Sequence, residues 1–178
     1  MHKKFWILLI GMLVITSFCL SAFAEEGKKE AKKEEAKYDF IGVDKCALKP
    51  CHGKDPAYET WLETKHAHAY DSLTAEQKKD PKYIKYYTTG ETKRGEQLPN
   101  VQCEACHGPG SDYKTMKVMK NREQAIANGL IIPDAETCKS CHNADAPPKV
   151  AEIGKNFDWN AMIKTGIHAL PSKEETKK

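Results

Sequence analysis

Three times in this 178-residue chain a cysteine pair leads directly into a histidine: Cys46-Ala47-Leu48-Lys49-Pro50-Cys51-His52, Cys103-Glu104-Ala105-Cys106-His107 and Cys138-Lys139-Ser140-Cys141-His142. The second and third runs are C-x-x-C-H, the spacing at which a chain attaches haem covalently. The first keeps the same order with two further residues between its cysteines. Two thiols add to the two vinyl groups on one porphyrin edge, and the histidine that follows is held under the macrocycle within reach of the iron. The expectation is three covalently bound haem c groups, attached through Cys46 and Cys51, Cys103 and Cys106, and Cys138 and Cys141, with His52, His107 and His142 as proximal iron ligands. A short chain tied to three rigid plates has few ways to fold. It predicts a mostly α architecture of short helices and loops wrapped around the haems.

The N-terminus places this chemistry outside the cytoplasm. Residues 1–24 read as a signal peptide: Lys3 and Lys4 are a positive start, Phe5 to Leu20 is apolar, and Ala22-Phe23-Ala24 is a small-x-small site for cleavage after Ala24. An uncleaved anchor competes, because the apolar run is of borderline spanning length. A lipoprotein modified at Cys19 fits less well, given Thr16 and Phe18. Covalent haem attachment in bacteria takes place after export, so a periplasmic location is expected, with extracellular or outer-membrane association as the alternative. Removing 24 of 178 residues leaves 154, and removing Cys19 from seven cysteines leaves six, all in the three runs. None remains for a disulfide framework. A zinc site on Cys103, Cys106, Cys138 and Cys141 is the rival metal reading. It leaves the first pair and three adjacent histidines without a role.

Charge excludes a nucleic-acid partner. Without Lys3 and Lys4, 26 basic residues face 25 acidic ones. Three haems, each with two propionates, then make the holoprotein roughly −2 when oxidised and −5 when reduced. The apparent basicity is therefore no argument for binding nucleic acid. Large aliphatic side chains are few, and three porphyrins would supply the apolar area that a core of this chain lacks. Such a chain without haem is expected to be largely unfolded.

Residues 25–37 are a charged leader of Glu, Lys and Ala, residues 38–170 form the haem-binding body, and residues 171–178 are a polar tail. Asp55 and Pro56 open a helix whose Tyr58, Trp61, Leu62, His66, Ala69 and Leu73 share one face. Thr74 and Gln77 have capping-box spacing. Pro81 interrupts that segment, and a further turn through Tyr83, Ile84 and Tyr87 ends at Gly90. Residues 90–100 read as an exposed loop. Ser111 is placed to cap a helix through Met119, Gly129 to close another, and Pro133-Asp134 to precede a short helix into Cys138. No sustained alternation occurs, so little or no sheet is expected.

Of seven histidines, His2 belongs to the signal and three are proximal candidates. Three others, His66, His68 and His168, could give every iron a second imidazole. On a helix, positions two apart point about 160–200° from one another, so His66 and His68 would serve different haems. The competing role for either is a surface or supporting histidine. Met116, Met119 and Met162 are the rival ligands, and methionine would raise the potential relative to bis-histidine. Met116 and Met119 read more simply as core packing.

At this point the chain resembles the cytochrome c-554 family of multihaem c-type cytochromes. Trp61-Leu62-Glu63-Thr64-Lys65-His66-Ala67-His68-Ala69 is close to that family's W-x-x-[ST]-x-H-A-x-A, and Cys103 to Ser111 ends Cys106-His107-Gly108-Pro109-Gly110-Ser111, as in C-x-x-C-H-G-P-G-S. The resemblance implies a mostly α-helical fold around stacked, often bis-histidine haems and a role in periplasmic electron transfer. Two departures stand out. Members often place a histidine soon after the G-P-G-S turn, where this chain has Asp112-Tyr113, and the best-known members carry four haems. The expected function is an electron carrier, not an enzyme. Its partners are redox proteins docking transiently, with membrane redox complexes as donors or acceptors. One alternative is a haem enzyme with an open iron acting on a small nitrogen or sulfur oxide, with Tyr113, Lys114 or Arg94 as pocket groups. Another is a subunit of a larger cytochrome conduit.

Overall fold

The structure, a computed structural model, describes residues 37–54, 56–165 and 167. The expected signal peptide, the leader up to residue 36, the expected cap Asp55, His168 and the tail 171–178 lie outside the described residues.

The body is a succession of short helices with one small hairpin. Helix α1 is Val43–Cys46 and α2 is Pro56–Leu62. The predicted continuation of α2 to Leu73 does not occur. The chain tightens after Leu62, with Thr64 N–H and the Thr64 hydroxyl both donating to Trp61 O, at 2.9 and 2.7 Å. A hydroxyl that bonds back to the preceding turn competes with the helical ladder. His66–His68 then form a separate 3-10 turn. Side chains step by about 120° there, so His66 and His68 still diverge. Leu62, expected on the apolar face, is exposed.

The capping box at Thr74 and Gln77 forms as read: Thr74 N–H donates to Gln77 Oε1 at 2.9 Å and Gln77 N–H to Thr74 Oγ1 at 3.2 Å. Pro81 separates two elements, as expected: a 3-10 turn over Gln77–Lys79 ends before it, and a new helix begins at it. It is the first residue of α3 (Pro81–Tyr87), and Asp80 caps it by accepting from Lys82 N–H at 2.8 Å. Proline lacks the N–H that the first turn leaves unpaired. The helix ends at Tyr87, short of Gly90, and leads into β1 (Thr88–Glu91), which pairs antiparallel with β2 (Gln97–Pro99). The segment 90–100 is therefore a hairpin arm with a buried Leu98, not an exposed loop. Two strands of four and three residues are too short for alternation to register.

The remaining helices are α4 (Cys103–His107), α5 (Met116–Met119), α6 (Arg122–Ala127), α7 (Ala135–Lys139), α8 (Pro148–Lys155) and α9 (Trp159–Thr165). Helix α5 is entered from Thr115, not capped by Ser111, whose hydroxyl accepts from Asp39 N–H and donates to Asp112. Gly129, at φ 101°, closes α6 as expected, and an Asp134–Thr137 capping box starts α7. The contiguous core is small: Leu73, Tyr86, Tyr87 and Ala146, with Ala69, Tyr70, Tyr83, Val150 and Ala151 packed against it. It joins α3 to the third cysteine run, where Tyr86 donates to Asn143.

Candidate haem sites

Each run closes on itself through its first cysteine. In the third, Cys138 O accepts from Cys141 N–H at 3.2 Å and from His142 N–H at 2.9 Å. In the first, His52 N–H reaches back to Cys46 O at 3.2 Å although two more residues intervene. The extra length is absorbed in a turn in which Cys51 and Gly53 both donate to Leu48 O. Thus Cys46, Cys51 and His52 share the backbone closure of a standard run, with a bulge inserted. The second run is helix α4 itself.

Two of the three histidines expected as proximal ligands are oriented by backbone carbonyls. His107 Nδ1 donates to Ile131 O at 3.1 Å, and His142 Nδ1 donates to Val150 O at 3.4 Å. An imidazole that gives its Nδ1 proton to a carbonyl keeps the Nε2 lone pair for a metal. Large apolar side chains stand exposed beside the runs: Leu48 (49%) within the first, Ile131 (48%) and Ile132 (45%) at His107, and Ile153 (39%) in α8 at His142. Water covers such groups poorly, whereas a porphyrin face would bury them. Donor set, imidazole orientation and apolar surroundings all fit haem c. Among the described residues no three His, Cys, Asp or Glu side chains converge as a metal cluster, so the Cys₄ zinc arrangement has no geometry here.

The runs adjoin one another. The thiols of Cys46 and Cys103 are hydrogen-bonded, a contact that holds the Cys46 thiol well above the usual thiol range. Burial pushes Cys106 up to about 11, with Cys138, Cys141 and Cys103 close enough to add to the shift. The first run therefore abuts the second, and the cysteines of the third lie within electrostatic reach of Cys106.

Of the distal candidates, His66 is half-buried, with its ring centroid 6.1 Å from that of His142 and the two planes at 44°. Burial, and then the neighbouring His142, hold its pKa below the usual imidazole value. His68 is exposed, and its Nε2 lies 2.8 Å from Leu62 O, so that nitrogen is engaged by backbone in this arrangement. Met116 is exposed rather than core, while Met119 and Met162 are half-buried. Tyr113 is buried and donates to Gly108 O at 2.6 Å, which makes it a brace for the G-P-G turn rather than a pocket acid. Lys114 and Arg94 are exposed.

One residue at the heart of this region escaped the sequence reading. Glu104, the first variable position of the second run, is 2% exposed. Its carboxylate accepts from Gly42 N–H at 2.7 Å, from Gly110 N–H at 2.6 Å and from Ile41 N–H at 3.1 Å. It thereby ties the approach to α1 and the G-P-G turn to α4. Gln102 adds a second tie, accepting from Val43 N–H at 2.7 Å and donating to Pro99 O at 2.8 Å. Glycine is required at 108: its φ is 77°, and a Cβ there would sit 2.7 Å from Gly129 O. The signal available in sequence was a lone acid inside a cysteine run with glycines near it, which does not reveal burial.

Comparison with known proteins agrees with this chemistry. A family model described as outer membrane cytochrome MtrC/MtrF-like, domains II/IV, matches residues 14–172. The fold is similar to that of the reduced state of cytochrome c554 from Nitrosomonas europaea, with a TM-score of 0.54 and 22% identity over 75% of this chain and 86% of that one. No curated protein matches. Among the described residues no helix is long and apolar enough to cross a membrane. With haem-attachment runs, carbonyl-oriented imidazoles and a cytochrome c554-like helical fold in one body, the chain belongs to the MtrC/MtrF-like family of multihaem c-type cytochromes, electron-transfer proteins that hold haem c covalently.

Proposed function

We propose that this protein is an exported electron carrier with three haems, held through Cys46 and Cys51, Cys103 and Cys106, and Cys138 and Cys141, and ligated mainly by pairs of histidines. The observation that carries the reading is the repeated site geometry: His52 N–H closes on Cys46 O, His142 N–H closes on Cys138 O, and the Ile131 and Val150 carbonyls hold His107 and His142 by Nδ1. When bound, each haem c supplies a one-electron ferric–ferrous couple. The chain's residues do the rest. The cysteines fix each porphyrin edge, and Ile131 O and Val150 O aim His107 and His142. Aliphatic side chains keep water off the faces, which with the axial ligands sets the potentials.

Under this reading the precursor loses residues 1–24, the body 38–170 works in the periplasm, and redox proteins or membrane redox complexes dock on it transiently. The family match supports a second reading, in which the chain is part of an outer-membrane conduit. The engagement of His68 Nε2 by Leu62 O supports a third, in which one iron lacks a second protein ligand and binds a small nitrogen or sulfur oxide. Intact mass of the holoprotein, followed by electron paramagnetic resonance of its ferric form, separates these. Three haems, all low-spin, are expected of the carrier. Fewer than three overturns the count, and a high-spin ferric signal moves the reading towards an open iron.

A further inference from the structure

His66 and His142 come from segments 76 positions apart, yet their rings sit 6.1 Å apart, centroid to centroid. That spacing suits two imidazoles on one iron. An imidazole nitrogen lies about 2.0 Å from a bound first-row metal and about 1.1 Å from its own ring centroid, so two rings trans across one iron have centroids about 6.2 Å apart. Aromatic rings in direct contact span about 4.5–7 Å, so the distance matches shared ligation without being peculiar to it, and the assignment rests on which two residues meet. The 44° between the planes is compatible with ligation, because each ring is free to rotate about its own metal–nitrogen axis.

We infer that His66 and His142 are the two axial ligands of a single iron, that of the haem attached through Cys138 and Cys141. The inference rests on the reading that this third run carries haem, and it assigns the distal partner that the sequence leaves open among three histidines.

Both rings are held in place from the backbone outward. Val101 clamps the distal side: its N–H donates to His66 O at 3.0 Å, and its carbonyl accepts from the Trp61 indole at 3.1 Å. Trp61 and His66 are thus both tied to Val101, one through its carbonyl and one through its N–H. On the proximal side, His142 N–H donates to Cys138 O and its Nδ1 to Val150 O, which turns Nε2 away from α8. Helix α8 also packs on the His142 backbone, because a Cβ at Gly154 would collide with His142 O.

The test counts irons in three variants of the full holoprotein: His66→Ala, His142→Ala and the double variant, each with its haem number fixed by intact mass. Ferric spin state is read by electron paramagnetic resonance. If the two ligands share an iron, His66→Ala shifts one equivalent from low-spin to high-spin. The double variant then perturbs that same single equivalent and no other. Added imidazole restores the low-spin signal of His66→Ala. If each serves its own iron, the double variant perturbs two equivalents, and the inference is overturned. Should His142→Ala lose its haem during maturation, the logic survives: His66→Ala in that background adds no high-spin iron if the pairing holds and adds one if it does not. An intact mass lacking a third haem in the wild-type protein would instead refute the haem count, a separate failure. As a check independent of folding in the variants, proton magnetic resonance of the wild-type protein is expected to show cross-peaks from both rings to one porphyrin.

Discussion

The carboxylate of Glu104 offers the sharpest quantitative prediction. It is 2% exposed, and it serves three amides. Gly110 N–H binds Oε1 at 2.6 Å and Gly42 N–H binds Oε2 at 2.7 Å, so the two oxygens have separate obligations. In Glu104→Gln the shape survives, but one oxygen becomes an NH₂. Whichever way the amide turns, one glycine N–H then faces a donor. A hydrogen bond to a charged group contributes about 1.5–3 kcal/mol net, and stranding a buried donor costs about 1–3 kcal/mol, partly the same energy counted twice, so the expected loss is about 2–4 kcal/mol. Against a total stability of about 5–15 kcal/mol this is a large fraction. The assay is guanidinium unfolding of wild-type and Glu104→Gln holoproteins with equal haem number, followed by far-ultraviolet circular dichroism. Glu104→Ala, which strands all three amides, is expected to lose more than Glu104→Gln. A Glu104→Gln protein within about 0.5 kcal/mol of wild type, the scatter typical of neutral surface changes, would refute the account of Glu104 as the tie between the N-terminal segment and the second run.

Tyr113→Phe removes the 2.6 Å bond to Gly108 O and is expected to cost about 1–2 kcal/mol in the same unfolding assay. Burial raises the Tyr113 pKa above the usual tyrosine value, so its contribution is complete below about pH 10 and falls as pH rises further; in Tyr113→Phe that part of the alkaline decline is expected to vanish. Gly108→Ala combines a φ of 77° with a Cβ 2.7 Å from Gly129 O, and a loss of about 2 kcal/mol or more is expected, with a denaturation midpoint equal to wild type as the refuting result. Haem-free protein, made without the attachment machinery, is expected to lose most of its helical circular dichroism, because among the described residues the contiguous buried core is built around Leu73, Tyr86, Tyr87 and Ala146. Full native helicity in that sample would remove the reasoning.

Covalent chemistry was legible in the linear chain because it is local. Two thiols and an imidazole must lie within a few residues to grip one porphyrin edge, so Cys103, Cys106 and His107 announce themselves by spacing. Caps were legible for the same reason: Thr74 with Gln77, and Asp134 with Thr137, act across three positions. The break after Leu62 was not, because a face of Trp61, His66 and Leu73 is compatible with one helix, and the tightening at Thr64, whose N–H and hydroxyl both bond Trp61 O, shows only in the folded chain. Nor was the 90–100 hairpin, whose strands are shorter than the period needed to detect them.

What the sequence determined by itself is therefore the covalent-haem chemistry and the helical character, both carried by short-range spacing. What tertiary structure decided is which distant groups meet: Glu104 with Gly42 and Gly110, Cys46 with Cys103, and His66 with His142. Closing the loop between two such groups has an entropic cost that depends only weakly on its length, so no local pattern records the pairing. It is settled by burial and by the hydrogen bonds that a buried group must find.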